Sequence, residues 1–277
     1  MTIHEVEGAG GVRLHVREWG PVSAPPILLI HGWSQSQMCW AKQTGSSLAE
    51  EFRLVALDLR GHGQSDAPLQ AEQYTDGDRW ADDIAAVIDA LALDRPVLAG
   101  WSYGGFVICD YLRRHGQDRI AGIDFVGAAV VVKPDAFGTL IGPGFYENAP
   151  KTFEADLPTA IGGMRDFLRA CLAKPVSQED FEVLLAFNMV VHPQVRMFLT
   201  QRELDFSEML RGVTVPVKVT HGREETVVLP AMGELIARNC PNAVESWYEG
   251  TGHAPFLEDA ARYNRELADF VRQARSA

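Results

Sequence analysis

The 277-residue sequence predicts an α/β fold: a mostly parallel central sheet flanked by helices, with a helical cap inserted between strands. Three observations predict it. Short apolar runs recur along the chain, they alternate with amphipathic helical patterns, and one long stretch near the middle breaks the alternation.

The chain opens with "EVEGAGGVRL", which reads as a hairpin turning on glycines, followed by the half-buried alternation of "GVRLHVREW". "PPILLIHG", "FRLVALDLRG", "PVLAGWS", "IAGIDFVGAAV", "VPVKVTHG" and "AVESWYEGTGH" come next. The central ones are nearly continuous in apolar residues, as strands covered on both faces by helices must be. Between them, "GDRWADDIAAVIDALAL" sets Trp80, Ile84, Val87, Ile88 and Leu91 on one helical stripe and its acids on the opposite face. "PAMGELIARNC" and "LEDAARYNRELADFVRQA" carry the same periodicity. From 133 to 212 no strong strand signal occurs, while "MRDFLRACLA" and "EDFEVLLAFNMVV" read as helices. The expected organisation is therefore a core of residues 1–132 and 213–277 with a helical cap at 133–212. Eight aromatic residues lie between Phe137 and Phe198, and they are expected to pack inside the cap more than to touch a ligand.

A formal net charge of −12 argues against partners such as nucleic acid or an anionic membrane surface. The start "MTIHEVEGAGG" has neither the basic residues nor the apolar run of a secretory signal, and no segment approaches the length of a membrane span, so a soluble, cytoplasmic protein is expected. Cys39, Cys109, Cys171 and Cys240 are scattered without a CxxC pair, which favours packed thiols over disulfides or zinc. His4, His15, His115 and His192 show no metal spacing, and "GAGG" lacks the spacing of a dinucleotide loop, so neither metal nor cofactor is expected.

The chemistry concentrates around Ser102. Gly100-Trp101-Ser102-Tyr103-Gly104 has the pattern G-x-S-x-G between the strand "PVLAG" and an amphipathic helix. A sharp strand-to-helix turn strains the central residue and leaves no room for flanking side chains, hence the glycines. It also sets the hydroxyl near free helix N–H groups that favour negative charge. A serine nucleophile needs a base, and the base an orienting acid. His253, in the Gly-rich "EGTGHAPF" after a predicted strand, is the candidate base. Glu224 or Glu225, after the strand "VPVKVTHG", can supply the acid. The backbone N–H groups of Tyr103 and Trp33 are the expected oxyanion donors, with His31 and Gly32 shaping the turn before Trp33.

With these motifs in order, the sequence resembles the α/β-hydrolase family over nearly its whole length: His31-Gly32-Trp33, "DLRGHGQSD" from Asp58 to Asp66, the turn at Ser102, "HGREETVV" and "GTGHAPF". The resemblance implies a serine–acid–histidine order and places the acid four residues past His221, at Glu225, where the family more often has aspartate. It also implies that His62 is a structural turn residue. Trp101, Met38 and Trp40 are read from the sequence as lining the pocket or packing in the core. The implied activity is hydrolysis of a small or medium ester or lactone through an acyl-enzyme. A second reading is the perhydrolysis of cofactor-free haloperoxidases, which commonly have proline where this chain has Ser34. A third, from another class, is a ligand receptor that retains the triad. Dehalogenase and epoxide hydrolase chemistry is disfavoured, because those relatives use aspartate at the turn.

Overall fold

The computed structural model of the chain describes residues 1–276. Ten strands form in chain order: β1 Thr2–Glu7, β2 Arg13–Trp19, β3 Pro26–Ile30, β4 Arg53–Leu57, β5 Val97–Trp101, β6 Gly122–Val126, β7 Val131–Val132, β8 Leu204–Asp205, β9 Val217–Gly222 and β10 Ala243–Tyr248. Eight of them make one sheet in the order β1-β2-β4-β3-β5-β6-β9-β10. Within this sheet the N-terminal hairpin and the β2–β4 pair are antiparallel, and the other pairings are parallel.

The apolar runs form the centre because helices cover both faces. In β3, Ile27, Leu28, Leu29 and Ile30 are all fully buried, and each such side chain contributes roughly 1.5–3 kcal/mol relative to exposure. After β3 the chain passes to β4 on one side and then crosses back to β5 on the other. The connections beyond the carboxyl ends of β3 and β5 thus diverge, opening the crevice in which parallel α/β sheets bind ligands.

Helix Gly77–Ala90 buries Trp80, Ile84, Val87 and Ile88 as its periodicity predicts. One of its acids departs from expectation. Asp83 is fully buried, accepting Arg60 Nε and Nη2 at 2.7 Å each and the Ala9 amide at 2.9 Å. A pattern of polarity along one helix does not reveal a cation delivered from the β4 loop.

Between β6 and β9 the chain is chiefly helical, with longer helices at Leu157–Ala170, Gln178–Val190 and Pro193–Leu199. Asp156 and Ser177 cap the first two, accepting the Thr159 and Asp180 amides. Within 133–212, where the sequence has no strong strand signal, Leu204–Asp205 pairs antiparallel with Val131–Val132 at the neck of this segment. Two residues are too few for an alternation to register in sequence. Among the described residues no helix is long and apolar enough to cross a membrane.

Candidate active site

Ser102 follows β5 directly and sits at φ +55°, in the left-handed region that side chains avoid. The conformation is held by its surroundings: its amide donates to Val126 O at 3.0 Å, and its carbonyl accepts Gly105 N at 2.9 Å and Ala129 N at 3.0 Å. A β-carbon on Gly100 would lie 2.8 Å from Gly104 O, and one on Gly104 would lie 2.7 Å from Ile30 O. Both contacts are with backbone, so the elbow packs against its own helix and β3 only because these positions are glycine. Helix Gly104–His115 begins at once, leaving the Tyr103 N–H at its free end.

His253 lies beyond β10 in a loop fixed at both backbone atoms. Its amide donates to Cys171 O at 2.9 Å, and its carbonyl accepts the Trp101 indole N–H at 2.8 Å. The Trp101 ring also packs on the imidazole, with centroids 5.3 Å apart. Glu225, three residues past β9, is buried and hydrogen-bonded through Oε2 to His253 Nδ1, while its Oε1 accepts the Val227 amide at 2.6 Å. Glu224 is exposed and meets this loop only through its backbone, donating to Thr251 O. Of the two acids that the sequence left open, Glu225 is the one that reaches the imidazole.

Gly127 makes room for the pair. At φ +47°, a β-carbon there would fall 2.9 Å from His253 O and 3.2 Å from Nδ1. Gly127 directly follows Val126, whose carbonyl anchors the Ser102 amide, so the His253–Glu225 pair lies beside the elbow. His253 Nε2 is buried with no hydrogen-bond partner, and the Ser102 hydroxyl makes no side-chain hydrogen bond among the described residues. The serine and the imidazole are thus brought to one rim of the sheet without being bonded to each other. Such contacts are often loose in unliganded enzymes and tighten with substrate.

The β3 loop completes the rim. His31 is buried, with Nε2 accepting the Leu59 amide at 3.0 Å and Nδ1 donating to Gly32 O at 2.8 Å. A β-carbon on Gly32 would stand 2.9 Å from Ser102 Cβ and 3.4 Å from its Oγ, so the loop can approach the serine only through glycine. The Trp33 and Tyr103 amides donate to no acceptor among the described residues. The next residue, Ser34, has φ +60° and donates its amide to His62 Nε2 at 3.2 Å. His62 is a buried turn residue, as its motif implied; burial lowers its pKa to about 4 and keeps the ring neutral, able to accept that bond.

A small cleft opens over Ser102. Its wall is mostly apolar, including Trp33, Phe106, Phe137, Phe145, Ile141 and Val228. Two of the aromatic residues expected to be cap core, Phe137 and Phe145, therefore face the cleft. Trp101, Met38 and Trp40 do not line it: Trp40 is fully buried against Phe256, and Met38 is exposed. Among the described residues Arg202 is the single charged one in the wall, and nothing in the sequence marked it. It is buried beside Asp110 at 2.7 Å, where burial raises the Asp110 carboxyl to about 6.

A model of the alpha/beta hydrolase fold matches residues 25–260 of the chain. A bifunctional esterase/perhydrolase of Acinetobacter calcoaceticus is 31% identical over 274 residues, covering 95% of this chain and 97% of that protein. A non-heme chloroperoxidase of Streptomyces lividans is 29% identical, covering 96% and 99%. Among solved structures, an esterase from Rhodococcus sp. ECU1013 superposes with a TM-score of 0.93 at 35% identity, covering 98% of this chain and 99% of that one.

Proposed function

Taking as premise that this chain belongs to the alpha/beta hydrolase fold family, we propose that it is a serine hydrolase of small or medium carboxylic esters or lactones, with Ser102 as nucleophile, His253 as base and Glu225 as orienting acid. The observation that carries the reading is the buried Glu225–His253 pair whose Nε2 is unpartnered, set beside a serine in a left-handed turn at the floor of an apolar cleft. Glu225 accepts a hydrogen bond from Nδ1–H, which holds the tautomer whose Nε2 lone pair is free to take a proton. Ser102 Oγ attacks the substrate carbonyl as its proton passes to Nε2. The unspent amides of Trp33 and Tyr103 receive the oxygen that becomes negative. Collapse expels the alcohol, which takes the proton from Nε2. Water then adds to the acyl-enzyme by the same route and releases the acid and the free serine. Residues 133–212 act as the cap over this site, and the apolar wall of the cleft suits a ligand with a modest apolar group.

Perhydrolysis stands second. The Acinetobacter relative's name favours it, yet Ser34 holds a φ of +60° that proline cannot adopt and donates an amide that proline lacks. The β3 loop is therefore shaped differently from one with proline at that position.

The test is steady-state hydrolysis of p-nitrophenyl acetate, butyrate and octanoate by the wild type and by Ser102→Ala. Many turnovers abolished by the substitution support the reading. Product stopping at one equivalent per chain would favour the receptor alternative. Bromination with peroxide and acetate above the Ser102→Ala background would promote the perhydrolase reading.

A further inference from the structure

Glu258 lies outside the proposed triad and outside the cleft, yet its carboxylate ties together two segments distant in the chain. Oε1 accepts the amide of Gly252, the residue before His253, at 2.8 Å. Oε2 accepts the amides of Ala173 and Lys174 at 2.9 and 3.1 Å, just past the cap helix Leu157–Ala170. The same junction carries the bond from the His253 amide to Cys171 O at 2.9 Å. It is closely packed: a β-carbon on Gly252 would meet Ala173 N at 2.8 Å and Cys171 O at 3.0 Å. Thr226, next to Glu225, adds a hydrogen bond from its hydroxyl to Ala170 O at 2.9 Å.

The end of one cap helix therefore holds both loops that carry the acid and the base. The same helix presents Phe167 to the Trp33 ring at a centroid distance of 5.1 Å, so it also braces the cleft wall over Ser102. A cap that merely covered the cleft would not need to hold the backbone of His253.

We propose that Glu258 is a positioning residue: its carboxylate clasps the end of the cap helix to the histidine loop and thereby sets where His253 stands relative to Ser102. The proposal rests on the serine-hydrolase reading for its kinetic consequence and on the hydrogen bonds alone for its structural one. Both carboxylate oxygens accept, and an amide side chain of the same size has one acceptor. Glu258→Gln must therefore release either the Gly252 side or the Ala173–Lys174 side. Misplacement of a catalytic group by an ångström can cost on the order of 100-fold in rate, and substrate binding in the cleft is untouched.

The experiment compares wild type, Glu258→Gln and Glu258→Ala with Glu249→Gln, which alters an exposed carboxylate on the histidine loop, as control. Each is assayed on p-nitrophenyl butyrate at a temperature well below its own melting point, and amide hydrogen exchange is followed over residues 171–174 and 250–254. The expected result is a kcat about 10- to 100-fold lower in Glu258→Gln, KM within twofold, and faster exchange in both segments, with Glu249→Gln like wild type. A Glu258→Gln enzyme with wild-type kcat, or a fall in kcat without faster exchange in those segments, overturns the proposal. An inert wild type would instead count against the hydrolase reading, and the exchange measurement would still decide whether the clasp exists.

Discussion

The Glu225 carboxylate meets His253 across an interval of 28 residues, with both side chains buried and the second carboxylate oxygen tied to the Val227 amide. Neither side chain can swing away without leaving a buried polar group unsatisfied. Glu225→Gln should keep the fold and lower kcat on the order of 10⁴-fold, the cost of losing the correct imidazole tautomer. Glu224→Gln should change kcat by less than about twofold, because its side chain is solvated. Steady-state kinetics on both variants checks the assignment, and equal losses would contradict it.

Gly32 gives a steric test of the elbow. An added methyl would press on Ser102 at 2.9 Å and displace the Trp33 amide beside it. Gly32→Ala is expected to reduce kcat by about 100-fold or more, the scale of one lost oxyanion donor, with KM little changed. Far-ultraviolet circular dichroism should stay at its wild-type value.

His62 provides a prediction in pH. Its folded-state pKa of about 4 lies below the ordinary 6.5, so between those values the unfolded chain binds a proton that the folded one refuses. Stability from this group is complete above pH 6.5 and is lost as pH falls toward 4. His62→Gln keeps a donor and an acceptor for Arg60 O and the Ser34 amide without titrating. The stability difference between the two proteins should move in the variant's favour by about 1.4 kcal/mol per pH unit across that window. Urea unfolding at several pH values measures it, and a constant difference would refute the buried neutral imidazole.

Arg202 and Asp110 form a buried ion pair at the cleft wall. Arg202→Met should destabilise the protein by about 3–5 kcal/mol, because it leaves Asp110 without compensation. Adding Asp110→Asn should recover much of that loss. Thermal melts of the single and double variants, read as a cycle, check the coupling.

These tests also mark where sequence reading succeeds and stops. The central strands Pro26–Ile30, Arg53–Leu57, Val97–Trp101 and Gly122–Val126 were legible because burial on both faces demands nearly unbroken apolar runs. The elbow at Ser102 was legible because a left-handed turn between backbone segments demands glycine on either side. Glu225 could be separated from Glu224 only by family spacing, since adjacent acids look alike until one is buried. Asp83, Arg202 and Glu258 passed unnoticed. Apart from Gly252, their partners lie tens of residues away, and a charged residue that will be tied to a distant group carries the same local signature as one that will be solvated. The strand Leu204–Asp205 escaped for want of length.

The most direct test of the account is intact mass and peptide mapping after treating the folded protein with a fluorophosphonate. The account predicts one adduct per chain, on Ser102, formed rapidly by the wild type and slowly by His253→Ala. A folded protein that takes no label, or takes it at a serine other than Ser102, would contradict the claim that this hydroxyl is the activated nucleophile.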